Sequence, residues 1–173
     1  MYNNSSSKIR SINNMKTAAV IWCRNDGYKE DERVIVCLNS MIETFDEVWY
    51  VDWNSPLELG SLFWKVKNQI NKQGKLKHIV FTPEIAKILC PYPGASVMNG
   101  QIPPNLVFRR TDADWVVSTT MDVIAPNKEL FNNFLKTADK NTFYTLSRRD
   151  IEINELEKFG FNKWKEYRDI LDK

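Results

Sequence analysis

The sequence predicts an α/β domain with a mostly parallel sheet flanked by helices, and three observations carry that expectation. Short unbroken apolar runs, such as Ala18-Ala19-Val20-Ile21-Trp22-Cys23, recur along the chain. Runs of this kind suit strands buried on both faces. Between them lie segments whose apolar residues are spaced by three and four, the mark of an amphipathic helix. Each strand-like run also ends in polar turn residues. Strands alternating with helices build parallel α/β sheets.

The first strand runs through Cys23 and ends at Arg24-Asn25-Asp26-Gly27. A helix follows over Glu30 to Thr44, its apolar stripe formed by Val34, Cys37, Leu38, Met41 and Ile42 and continued by Phe45. The second strand is Glu47 to Val51, closed by Asp52-Trp53-Asn54-Ser55-Pro56. Strand, helix and strand make one βαβ unit, whose right-handed crossover puts the loops after the strands on one sheet edge. Leu62 to Gln73 reads as a second helix ended by Gly74. Leu76 to Phe81 reads as a third strand, and Glu84 to Leu89 as a short helical turn.

A proline-rich loop spans Pro91 to Pro104. A loop of that length inside a domain is usually functional or mobile. Asn105 to Thr111 predicts a short helix entered through Pro103 and Pro104. Asp114 to Thr119 is the fourth strand, running into Thr120-Met121-Asp122. A helix over Pro126 to Ala138 and a fifth strand at Phe143 to Leu146 follow, with Ser147-Arg148-Arg149-Asp150 after it. The charged segment from Ile151 to Lys173 has a helical pattern. The expected organisation is a flexible tail over 1–16 and one domain over 17–173.

Composition narrows the function classes. The 24 basic and 22 acidic residues are too balanced for a nucleic-acid surface, which needs a clustered basic face. No apolar run approaches the ~20 residues of a membrane span. The cysteines Cys23, Cys37 and Cys90 lack metal-ligand spacing, and the first two sit in apolar contexts. A reducing, cytoplasmic setting is the expectation. There is no GxGxxG after the first strand, no GxxxxGK[ST] and no GxSxG elbow. The lone histidine, His78, alternates with apolar residues in a strand and reads as a sheet-face residue.

Ligands of open parallel sheets bind beyond the carboxyl ends of the strands, where strand order reverses. That rule selects Arg24, Asn25 and Asp26, then Asp52, Asn54 and Ser55, then Thr120 and Asp122. Any one of them is also ordinary turn chemistry. Together they describe a carboxylate-based site. Asp122 is the candidate for holding Mg²⁺ or Mn²⁺, hard cations that take oxygen ligands and often rely on few protein carboxylates beside phosphate.

The order of elements resembles the nucleotide-binding half of GT-A-fold glycosyltransferases, a Rossmann-like sheet. It is similar to the large inverting family 2 type and to small glycosyltransferase-like proteins of large DNA viruses and some bacteria. The resemblance covers roughly Ala18 to Asp150. It lies in Ala19-Val20-Ile21-Trp22-Cys23-Arg24-Asn25, Cys37-Leu38-Asn39-Ser40-Met41-Ile42 and Val51-Asp52-Trp53-Asn54-Ser55. It continues in Asn105-Leu106-Val107-Phe108-Arg109-Arg110, Ala113-Asp114-Trp115 and Ser118 to Pro126.

The resemblance implies a nucleotide site formed by Cys23, Arg24, Asn25, Asp52, Asn54, Arg109 and Thr120. It implies a Mn²⁺ or Mg²⁺ ion on Asp122 and a general base at Asp150. The implied activity is transfer of a sugar from a UDP-linked donor to a hydroxyl on a carbohydrate or glycan acceptor, with inversion. Two departures stand out. Thr120 occupies the place of the first aspartate of the family's Asp-x-Asp motif, whereas the literal Asp112-Ala113-Asp114 precedes its strand and reads as structural. Only 51 residues follow Asp122, so the acceptor half is expected to be short or incomplete. A nucleotide-sugar-binding module without transferase activity is the alternative.

Overall fold

The computed structural model describes residues 15–27, 31–92, 100–145 and 160–172. The strands are β1 (Thr17–Cys23), β2 (Glu47–Trp53), β3 (Leu76–Phe81) and β4 (Trp115–Thr120). They form one sheet of order β3-β2-β1-β4 in which every neighbouring pair is parallel. This is the Rossmann-like α/β arrangement the apolar runs predict. The register aligns the strand ends: Cys23 pairs with Asp52, and Trp22 with Thr120.

Side chains alternate between two faces, as the strand period demands. Ala19, Ile21, Val48 and Tyr50 pack on α1 (Asp31–Thr44), α2 (Leu62–Val66) and α5 (Lys128–Thr137). Val20, Trp49 and Val51 turn the other way and meet Val107 of α4 (Ile102–Phe108). Burial on both faces explains why β1 and β2 are almost unbroken runs of apolar residues. In α1 the expected stripe is buried, including Val34, Cys37, Leu38, Met41 and Ile42. Lys75 donates to the carbonyls of Ile42 and Phe45 at 3.0 and 2.9 Å, satisfying acceptors that the end of the helix leaves open.

Several boundaries differ from expectation, each with a local cause. The helix expected over Leu62 to Gln73 stops at Val66, followed by 3₁₀ turns at Lys67–Gln69 and Gln73–Lys75. Asn39 of α1 intervenes there: its amide donates to the Gln69 carbonyl and accepts from the Asn71 N–H. Gly74 therefore sits inside a turn, and the left-handed residue is Lys72, with φ of 48°. The helix expected from Asn105 starts at Ile102, because Pro103 and Pro104 fit inside a first turn that needs no N–H donors. The short turn expected at Glu84 is α3 (Pro83–Leu89), capped by the Thr82 hydroxyl. The helix expected from Pro126 starts at Lys128, with Asn127 accepting from Leu130 N–H at 2.8 Å.

The fifth strand is a correction. Phe143 to Thr145 form no strand, and Leu146 lies outside the described residues. Tyr144 instead stacks perpendicular to Phe134 at 5.1 Å and accepts from the Asp139 N–H at 2.7 Å. These contacts turn the segment onto α5 and away from sheet pairing. Of the helical C-terminal segment, the described part is a 3₁₀ turn at Phe161–Lys163 and α6 (Trp164–Leu171). It docks on α1 through Arg168 and Lys165, both paired with Glu43, and Asp172 accepts from the Asn127 N–H.

Of the expected tail, Lys16 is tied down. Its N–H donates to Asp114 and its ammonium pairs with Glu47 at 3.0 Å and with Asp112. Asp112 and Asp114 thus sit at the strand-start edge of the sheet, holding the entry to β1.

Candidate functional site

β1 has β2 on one side and β4 on the other, and the chain reaches these neighbours in opposite directions from it. The carboxyl ends of β1 and β4 therefore mark the place where strand order reverses. A cleft of about 170 Å³ opens there. Trp22, Arg24, Asp26, Arg33, Thr120 and Asp122 line it. A larger hollow of about 650 Å³ lies against Thr17, Asp46 and Lys128 at the opposite edge. Its Lys128 and Asp46 are already paired at 3.3 Å, and the rule for parallel sheets points away from strand starts.

The sequence-selected residues divide into two layers. Cys23, Arg24, Thr120 and Asp122 line the cleft, with Asp26 beside them. Arg24 is braced: its Nε donates to the Asn54 carbonyl at 2.9 Å, and its guanidinium pairs with Asp26 at 3.2 Å. Thr120 donates its hydroxyl to Oδ1 of Asp122.

Asn25, Asp52 and Asn54 form a buried brace alongside. Asn25 spends its groups on the protein. Its N–H donates to Ser55 Oγ at 2.9 Å, its amide donates to the Leu59 and Gly60 carbonyls, and its Oδ1 accepts from Gly27 N–H. Asn54 is buried with φ of 58°, the left-handed region that asparagine tolerates. Its N–H donates to the Phe81 carbonyl at 2.7 Å. That geometry joins the loop after β2 to the end of β3.

Asp52 is 0% exposed. Ser55 donates to its Oδ1, while Oδ2 is buried with no hydrogen-bond partner. Burial raises its carboxyl above the ordinary aspartate range, and the Ser55 hydrogen bond offsets only part of that. Below the cleft, Cys23 Sγ lies 2.7 Å from the Tyr50 hydroxyl. Cys37 donates to the Thr120 carbonyl at 3.7 Å, and burial pushes its thiol up to about 12. All three cysteines are buried and outside any disulfide.

Arg109 is not brought to this edge. Gly100, just before α4, sits against the Trp22 ring near the end of β1, whereas Asp114, beyond α4, bonds Lys16 at the start of β1. The helix therefore runs against the strands, and Arg109 at its C-terminal end faces the strand-start edge. Asp150 lies outside the described residues, as do Arg148 and Arg149. His78 lies in β3 among Phe63, Tyr50 and Trp64, with burial holding its pKa down to about 4.

Trp22 and Arg33 escaped the sequence reading. Trp22 reads from sequence as part of an apolar strand and of the first resemblance segment, with no site role. Arg33 belongs to the first turn of α1, and a helix that follows a strand begins at the strand's carboxyl edge. That connectivity is visible in the sequence and was the available signal.

No protein-family model matches the chain, and no curated protein matches it. Among solved structures it is similar to S. aureus TarS 1–349, at 20% identity and a TM-score of 0.45, over 70% of this chain and 32% of that one. A second structure of S. aureus TarS matches at 20% identity and a TM-score of 0.44, over 70% of this chain and 19% of that one. The chain thus spans a third or less of the length of these neighbours. The fold assignment rests on strand order and register instead. Among the described residues, no helix is long and apolar enough to cross a membrane.

Proposed function

We propose that the chain is the donor-binding part of a glycosyltransferase, taking a nucleoside diphosphate sugar at the β1–β4 cleft and passing the sugar to a hydroxyl acceptor. The observation that carries this reading is the pair of guanidinium groups, Arg24 and Arg33, facing a cleft at the reversal point of a parallel sheet. Guanidinium matches phosphate oxygens in number and geometry. The cleft is smaller than the ~300–1,000 Å³ of whole-ligand sites, so it suits the diphosphate, with nucleoside and sugar extending along the open edge.

In the inverting reaction the acceptor oxygen attacks the anomeric carbon as the bond from that carbon to the diphosphate oxygen breaks. The hydroxyl proton passes to a carboxylate, and the nucleoside diphosphate leaves with its negative charge facing the arginines. UDP is the donor nucleotide this reading adopts. Incubation with a panel of nucleotide sugars and simple glycan acceptors tests it, and acceptor-dependent release of nucleoside diphosphate is the expected result.

A second reading, a nucleotide-sugar-binding module without transfer, has its own support. Among the described residues, the cleft carboxylates are Asp26, paired with Arg24, and Asp122, engaged by Thr120. Nucleotide-sugar binding without diphosphate release identifies that case.

A further inference from the structure

The carboxylate expected to hold a divalent cation sits in surroundings that suit an anion. Among the described residues no group of three or more histidine, cysteine, aspartate or glutamate side chains is arranged to hold a metal. The cleft carboxylates are Asp26 and Asp122, and both are engaged: Asp26 pairs with Arg24 at 3.2 Å, and Asp122 Oδ1 accepts from the Thr120 hydroxyl. Mg²⁺ demands about six oxygens in octahedral geometry, and Ca²⁺ takes as many or more. Two carboxylates that already have partners are a weak start toward that number. The same cleft is lined by two permanent positive charges.

Those charges are well placed to do the work of a metal. Arg24 is fixed by Asn54 and Asp26, so ordering it on binding costs little rotamer entropy. Arg33 makes no ion pair among the described residues, which leaves its full charge for a ligand. We infer that the cleft holds a diphosphate directly between Arg24 and Arg33, with no divalent cation bridging it to Asp122. This inference rests on the donor-site reading above and specifies how that site neutralises its ligand. Asp122, with its negative charge at the same cleft, then opposes diphosphate binding instead of supporting it.

Calorimetric titration with inorganic pyrophosphate and with UDP, each in EDTA and in Mn²⁺, tests the inference. Affinities equal within about twofold in the two conditions are expected. Arg33→Ala weakens both ligands about tenfold or more in EDTA, since a charge-assisted contact is worth roughly 1.5–3 kcal/mol. Arg33→Lys recovers part of that loss, and circular dichroism of both variants confirms an intact fold. Asp122→Asn tightens pyrophosphate binding by removing a like charge.

Binding that appears only with Mn²⁺, or that disappears in Asp122→Asn while Arg33→Ala binds normally, overturns the inference and leaves the donor reading standing. Absence of binding by either ligand in both conditions overturns the two together.

Discussion

The Nε of Arg24 donates to the backbone carbonyl of Asn54 at 2.9 Å, so a cation lining the cleft is anchored on the loop beyond the neighbouring strand. The same loop is held by Asn25, whose side chain reaches the Leu59 and Gly60 carbonyls. Cleft-facing and structural residues alternate in sequence here, Arg24 outward and Asn25 inward.

Asn25→Ala is therefore expected to destabilise the fold by about 2 kcal/mol, because it removes part-buried hydrogen bonds that tie two loops together. Urea denaturation measures the loss. Arg24→Ala, by contrast, is expected to cost about 1 kcal/mol of stability, as it removes a partly exposed contact. A larger effect for Arg24 than for Asn25 contradicts the assignment of the brace.

The Asp52 carboxylate lowers the stability of the folded chain at neutral pH. Its folded pKa is raised by burial, so between the unfolded and folded values the native state binds the extra proton, and stability falls as pH rises through that window. Asp52→Asn is expected to raise the melting temperature by a few degrees at pH 7, with the advantage shrinking toward pH 4. Thermal melts across that range check it; a destabilised variant at pH 7 refutes the account.

His78 has the opposite dependence. Its folded pKa, about 4, lies below the ordinary histidine value, so the unfolded chain binds the proton first as the solution is acidified. Its contribution is fully present above about pH 6.5 and is lost as pH falls toward 4, on the order of 2 kcal/mol after discounting for partial exposure. His78→Phe keeps a ring against Phe63 and Tyr50 and removes the titration. Denaturation midpoints of this variant are expected to decline less than those of the parent between pH 6.5 and 4.

Thr120→Asp places a second carboxylate beside Asp122. The variant is expected to gain about tenfold in Mn²⁺ affinity and to lose pyrophosphate affinity in EDTA, because hard cations gain an oxygen ligand and the anion meets another like charge. Paramagnetic resonance of free Mn²⁺ follows the first effect and calorimetry the second.

The strands were legible because double burial writes itself as continuous apolar runs, as in β1 and β2. Their polar endings point to the carboxyl edge of the sheet, which is why Arg24, Thr120 and Asp122 could be placed beside the cleft from sequence. Asn25 and Asp52 have the same sequence signature, yet the fold turns them inward, and no local pattern records that choice. Arg109 was assigned by resemblance, while the direction of α4 takes it to the far edge. Where a strand was expected at Phe143, Tyr144 instead packs on Phe134 of α5, a contact between distant positions that no local pattern records. Arg33 was hidden as one polar residue on an amphipathic helix.

The thiol of Cys37, buried and bonded to the Thr120 carbonyl, supplies a clock for the site. Alkylating reagents react with thiolates, and this one is suppressed both by its environment and by lack of access. Labelling at Cys37 then proceeds only when α1 parts from the end of β4, so its rate counts those openings. A ligand that bridges Arg33 of α1 to the strand ends slows that clock in proportion to its occupancy.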